Sequence, residues 1–404
     1  MNSFATDFSR RNAQNPWMLN IRTYIVFTLF SAPIIDILNG VFVDVFPIGQ
    51  IIRTLIIVAN FFIIFKKIPR KNKNAILGFF VCVIYLMLHA LFTGVTNDVM
   101  FSDLNFAMKP VLFLSQLLLL ENCIIRGIIN WKDFFKFWKY SSWFLPISII
   151  LMVLFNVSET KGGYYASVNA VSMILVVNIV FCLYFSQEKI TYWLGVAFNF
   201  VSIVCLGTKS PYLFLVAIFL TLIFFNSKQR VILIVMGGIA GSVAIFLITN
   251  YFSEQLSNFF EYHTYHISKA IENNDWSSYL FSGRNNMFLK QWTDIKSSED
   301  SVLKLLFGIG RSNFITGVEM DFFELVFAFG AVVPIFIYSF FAKGLKHRCT
   351  DKNVALFMNI AVMCTIGFSV LGGHVLLEAI GGMYASILLA TKYSLCEEFY
   401  KQEV

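Results

Sequence analysis

Charge is what this chain lacks. Only 14% of its 404 residues are Asp, Glu, Lys or Arg, against 57% hydrophobic ones, and the mean hydropathy is +0.70. A soluble fold of that length needs far more charge to cover its surface, so a row of soluble domains is excluded and an all-α polytopic membrane protein is implied. Metal-ligand spacing is missing too. The seven cysteines are scattered, with no CxxC and no Cys/His pattern; neither a zinc site nor a disulfide framework is expected, and they read as small apolar packing residues. No small-residue cleavage site accompanies Arg10 and Arg11 before the first apolar run, which therefore reads as a retained anchor rather than a signal peptide.

What is present is a series of apolar runs, many of about eighteen to twenty-two residues, enough to cross roughly 30 Å of hydrocarbon as helices. About twelve are expected, near 23–42, 47–65, 75–93, 106–120, 138–155, 168–185, 190–206, 212–225, 231–252, 322–341, 354–371 and 375–392. They divide the chain into an N-terminal membrane part (1–252), a polar segment (253–321) and a C-terminal membrane part (322–404). The halves show no self-similarity, and the basic loop after the second span lacks the Gly-x-x-x-Asp-Arg pattern of major-facilitator transporters.

The net charge of +7 is explained by where the cations sit. Basic residues crowd the connections after the second, fourth, eighth and tenth spans: KKIPRKNK (66–73), Arg126 with Lys132 and Lys136, Lys228 with Arg230, and Lys343, Lys346, Arg348 and Lys352. The alternate connections, TGVTNDVMFSD (93–103), NVSETKGG (156–163) and the polar segment 253–321, carry far fewer. With the termini, about two-thirds of all Lys and Arg fall on one side, which is the cytoplasmic side by the positive-inside rule. Both termini are then inside and the polar segment outside. The positive charge is topogenic, and no nucleic-acid surface is expected.

That topology gathers ionisable residues at the outer face. Lys209 stands in LGTKSP (206–211), His374 in LGGHVLLE (371–378), Lys109 heads the fourth span, Arg284 and Arg311 lie in the polar segment, and Glu319, Asp321 and Glu324 lie where it re-enters apolar sequence. Asp36 and Arg53 can pair as a tie between the first two spans. Charges at a membrane face default to a functional hypothesis. Cations aimed at a leaving diphosphate stabilise the charge it gains, without a metal, and a histidine or carboxylate takes the proton of an attacking hydroxyl. His374 is the first candidate for that base, because its ordinary pKa is about 6.5; Glu319 follows, then Asp321.

At these residues the sequence resembles the bacterial O-antigen polymerase and O-antigen ligase superfamily. The likeness rests on GTKSPYLFL (207–215), SGRNNMFLKQW (282–292) and GIGRSNFITGVEMDFFELVFAFG (308–330), with Asn169 in ASVNAVSMIL. It covers roughly 160–335. Ligases place a His-Asn pair where this chain has Glu319 to Asp321, and Lys209 stands for a common Arg; the polymerase branch fits better.

The resemblance implies a GT-C-like architecture with about twelve transmembrane helices and one large periplasmic loop between the ninth and tenth. It implies a bacterial inner-membrane enzyme that polymerises O-antigen or capsule repeat units carried on undecaprenyl diphosphate. Arg284, Lys209, Arg311, Asn169 and Lys109 would bind substrate, and His374, Glu319, Asp321 and Arg284 would act in catalysis. Membrane lipids and a polysaccharide co-polymerase that sets chain length are the implied partners, with no cofactor, metal or nucleic acid. The alternatives are a ligase that passes the glycan to lipid A–core, and a transporter or flippase of lipid-linked oligosaccharides.

Overall fold

The computed structural model describes residues 16–42, 48–67, 73–93, 97–155, 164–165, 167–225, 230–251, 253–272, 274–347, 349 and 351–395. The basic loop 66–73 lies largely, and the 156–163 connection wholly, outside them. Every regular element among the described residues is helical. A backbone in apolar surroundings must satisfy its own N–H and C=O groups, and a helix does so within one segment.

Six long helices come first: α1 (Pro16–Val41), α2 (Ile48–Lys67), α3 (Lys73–Thr93), α4 (Asn97–Ile125), α5 (Trp131–Leu154) and α6 (Val168–Phe185). The shorter α7 (Tyr192–Leu206) and α8 (Ser210–Phe225) follow, then α9 (Arg230–Tyr251). The polar segment is built largely of helix: α10 (Ser253–Glu272), α11 (Trp276–Leu280), α12 (Arg284–Ser297), α13 (Ser301–Phe307) and a 3-10 turn, Arg311–Asn313. The chain ends with α14 (Asp321–Phe329), α15 (Val332–Lys346), α16 (Lys352–Gly367), the π-turn Phe368–Gly372 and α17 (Ala379–Leu395). Seven of these are long and apolar enough to cross a membrane, namely α1 to α6 and α16 with its π-turn. This is the build of a multi-pass membrane protein.

The centre is α4, which at 29 residues is about 43 Å long at 1.5 Å per residue. Together with α6 it is mostly buried; α2, α3 and α17 pack around it. Outward faces stay apolar, with Phe27, Leu55, Phe62, Phe65 and Leu77 exposed, a surface suited to lipid rather than water. Arg53 donates to Asp36 at 2.7 Å, the tie between the first two helices that the sequence suggested.

The expected span 322–341 is interrupted. Gly330, at φ +81°, separates α14 from α15, and the chain at 305–310 lies against the break. Ile309 N donates to Phe327 O (2.8 Å), Gly310 N to Ala328 O (3.0 Å) and Ala331 N to Leu305 O (3.0 Å). A Cβ on Gly330 would stand 1.9 Å from Leu306 O, and one on Gly308 2.3 Å from Ala328 O; both positions require glycine. The Tyr85 hydroxyl lies 2.7 Å from Phe307 O and 2.9 Å from Phe329 O, capping the last turns of α13 and α14 together. A small core of Ile295, Val318, Met320 and Phe327 binds the polar segment to α14.

Prolines inside α1, α4 and α5 remove backbone donors. For Pro146 the carbonyl left without its helical partner is that of Ser142, four residues earlier. Asn199 on α7 donates to it at 3.0 Å. Asn199→Ala should therefore lower stability by about 1–2 kcal/mol, read as thermal unfolding in detergent. In Pro146→Ala, where the backbone N–H returns, the same substitution should cost measurably less.

Candidate active site

The first turn of α14 is the base of the site. Glu319 precedes the helix with φ +53°, a left-handed conformation that costs a non-glycine residue on the order of 1 kcal/mol or more and recurs at functional sites. The helix begins at Asp321 itself, so helical spacing does not relate the two acids. Glu319 is 46% exposed at its side chain, and Arg284 Nη2 approaches it at 3.4 Å. Asp321 is fully buried. Its Oδ2 accepts from Ser369 Oγ (2.9 Å), Val375 N (2.8 Å) and Leu376 N (2.6 Å). Two of these donors are the backbone N–H groups of consecutive residues directly after His374, so Asp321 fixes the turn that carries His374.

One turn further along α14 stands Glu324, also fully buried. Arg311 Nε lies 2.7 Å from its Oε1, and His374 Nδ1 lies 3.3 Å from its Oε2 and 3.5 Å from Asp321 Oδ1. Burial alone would push the His374 imidazole down. The contact with Asp321 and the charges of Glu324, Asp321 and Glu378 outweigh it and hold the pKa up at about 9. That raised value favours the imidazolium, a cation and donor, at neutral pH.

Gly373 brings the remaining groups in. Its φ of +119° suits glycine, and a Cβ there would stand 2.4 Å from Asn169 Nδ2 and 3.1 Å from Arg284 Nη2. Asn169 is on the first turn of α6, and Arg284 is the first residue of α12, set by Gly283 in the left-handed conformation (φ +78°). Arg284 is only 7% exposed, and its Nε meets no hydrogen-bond partner among the described residues. Lys209, in the turn between α7 and α8, donates to the Tyr279 carbonyl and lies 4.2 Å over the Tyr279 ring. Burial, then the neighbouring Arg284 charge, pulls its pKa down.

Arg284, Glu319, Asp321, His374, Asn169, Lys209 and Arg311 thus meet at one end of the bundle, on six separate pieces of chain. Lys109 is at the flank, paired with Glu378 at 3.4 Å. The sequence marks Glu324 at the outer face without a role, and two further carboxylates were missed from sequence: Glu378, and Asp103, which accepts from Ser312 N (2.8 Å), Ser312 Oγ (2.9 Å) and Thr93 Oγ1 (3.0 Å). Asp103 pins the glycine turn that carries Arg311. The signal for each was a lone acid in or beside an apolar helix. No group of three or more His, Cys, Asp and Glu side chains among the described residues could hold a metal ion. Chemically, the arrangement offers adjacent cations for an anion, an accessible carboxylate beside them, and a buried charge network beneath.

No protein-family model matches the sequence, and comparison with curated proteins gives no match either.

His374 bound as a cation adds stability in full below its ordinary pKa of about 6.5, and that contribution is lost as the pH rises through about 9. Thermal unfolding in detergent should show stability falling across that window. Asp321→Asn should bring the His374 titration down, as read by imidazole NMR, and shrink the slope.

Proposed function

We propose that the protein polymerises repeat units of a bacterial surface polysaccharide, taking the growing glycan from undecaprenyl diphosphate. The observation that carries this reading is the pair Arg284 and Lys209. Arg284 and Lys209 are like charges near enough to oppose each other, Arg284 nearly buried with an unpaired Nε and faced by a single weakly held carboxylate, Glu319. Like charges brought together out of water are costly without an anion between them. A diphosphate supplies one, and the planar guanidinium suits its oxygens. In a bundle with the build of a membrane protein, the diphosphate of a lipid carrier is the natural source.

The reaction follows from these groups. An acceptor sugar hydroxyl attacks the anomeric carbon of the donor glycan. The bond from that carbon to the diphosphate oxygen breaks, and its electron pair leaves with undecaprenyl diphosphate, whose added charge meets Arg284 and Lys209. The hydroxyl proton passes to Glu319, which replaces His374 as the base because it is the exposed acid and His374 already carries its proton. Asp321, Glu324 and Arg311 hold His374 and the turn in place, and Asn169 supports Gly373.

In this reading α7, α8, α9, the α14–α15 pair and α17 complete about twelve crossings, with the termini in the cytoplasm and 253–321 at the periplasmic face of a bacterial inner membrane, in a GT-C-like arrangement. A polysaccharide co-polymerase remains a proposed partner. Cysteines introduced as Asn274→Cys and Lys71→Cys test the sidedness. The first should react with an impermeant thiol reagent in intact cells permeable only at the outer membrane, the second after the inner membrane is opened. The reverse pattern removes the site from the side where the substrate would be.

Arg284→Ala should lower the rate of glycan polymerisation about 10²–10³-fold at equal protein level, with Arg284→Lys recovering part of it. Glu319→Gln should lower it about 10²–10⁴-fold. Long-chain glycan from Arg284→Ala at the level of the unmodified protein would dismiss this assignment.

A further inference from the structure

Beside the site a cavity of about 650 Å³ opens between α1, α2, α4 and the start of α17, within the size range of small-molecule sites. Its walls carry a cluster of polar residues near the starts of α2 and α4. On α4, Asp98, Ser102, Asn105 and Lys109 follow one another at steps of three or four residues and so share one helix face. On α2, Arg53 and Thr54 stand three and four residues after Gln50 and so lie on its side of the helix, and all of these line the cavity. The side chains of Gln50, Ser102 and Asn105 make no hydrogen bond to the described residues, and Gln50 and Asn105 are exposed. Two facing polar stripes on helices that pack in a membrane are expensive unless water or a ligand meets them.

The chemistry of the lining selects the ligand. Amides and hydroxyls both donate and accept, as the vicinal hydroxyls of a sugar do. The cations are already engaged, Arg53 with Asp36 at 2.7 Å and Lys109 with Glu378 at 3.4 Å. Asp98 adds a further negative charge to the wall, so the cavity offers an anion no free cation. Phe101, Leu104 and Met108 provide apolar surface for ring C–H faces. Glu378 joins this cavity to the site described above, since it lines the one and its charge acts on His374 in the other.

We propose that this cavity binds an uncharged oligosaccharide and is the acceptor subsite of the transfer reaction, an assignment that rests on the polymerase reading. The acceptor unit would enter sugar-first between α2 and α4, with its terminal hydroxyl directed past the Lys109–Glu378 pair.

The test uses the full-length protein in nanodiscs and the cell's own repeat-unit oligosaccharide, released from its lipid diphosphate by mild acid and radiolabelled. Equilibrium dialysis measures its binding, and polymerisation of the lipid-linked unit is assayed in parallel. Gln50→Leu and Asn105→Leu should each weaken oligosaccharide binding about tenfold, a loss of roughly 1.4 kcal/mol. Arg284→Ala should bind it as the unmodified protein does while failing to polymerise. Unchanged unfolding temperatures identify the effects as local, and Asn105→Gln, which keeps the amide, should retain most of the affinity.

Polymerisation by the unmodified protein with no oligosaccharide binding, or with equal binding by both leucine variants, would overturn the acceptor subsite and leave the polymerase standing. Oligosaccharide binding that the leucine variants weaken, in a protein that polymerises nothing, would overturn the polymerase and the acceptor role while retaining the saccharide cavity.

Discussion

The site depends on the carboxylate of Asp321. A carboxylate without solvent exposure needs donors, and Oδ2 takes three, the hydroxyl of Ser369 and the backbone N–H groups of Val375 and Leu376. Val375 lies 54 residues further along the chain. One side chain thus joins the start of α14 to the stretch between the π-turn and α17. That stretch forms no regular helix around His374, and Gly373 sits in a backbone region that glycine alone adopts easily. With the turn pinned, the space left by the absent Cβ of Gly373 is what Asn169 and Arg284 occupy.

Beneath this turn the charges alternate, from Arg311 to Glu324, to His374, to Asp321. Each buried acid has a cation beside it, and removing one member would strand a charge in the interior, which costs more than the pair itself contributes. The alternation ends at Arg284 and Lys209, where cation meets cation and Glu319 is the nearest acid to Arg284. Under the proposed function, an incoming anion would complete the charges at the exposed edge.

Much of this was legible in sequence because membrane helices write plainly. Long apolar runs gave α1 to α6 and α16, and single charges set against them marked the residues that converge. The Asp36–Arg53 tie was legible for the same reason. Roles were harder to read. His374 looked like a base from its ordinary pKa, but that value belongs to an imidazole in water, and two buried carboxylates brought by α14 raise it. Glu319 and Asp321 ranked as candidate bases in that order, and the helix start separates their surroundings, one turned towards Arg284 and the other into the backbone of the His374 turn. The break at Gly330 was hidden because hydropathy averages over it. The contact that demands it comes from Leu306, distant in sequence by more than a hydropathy window.

A polymerase must tell apart two substrates of the same kind, and under the proposed function charge provides the means. One substrate is engaged at its diphosphate end and the other at its sugar end. At the Arg284 edge the guanidinium has Glu319 at 3.4 Å and an Nε without a partner among the described residues, so an anion is drawn there. On the cavity wall Arg53 and Lys109 are already engaged by Asp36 and Glu378, and Asp98 is a further acid, so no free cation meets a diphosphate there and uncharged sugar is accepted. The lipid-linked unit can then be seated in opposite senses in the two places. The reducing end of one chain would meet the free hydroxyl of the next, and growth would take a single direction because the wrong orientation leaves a buried charge unpaired at both ends.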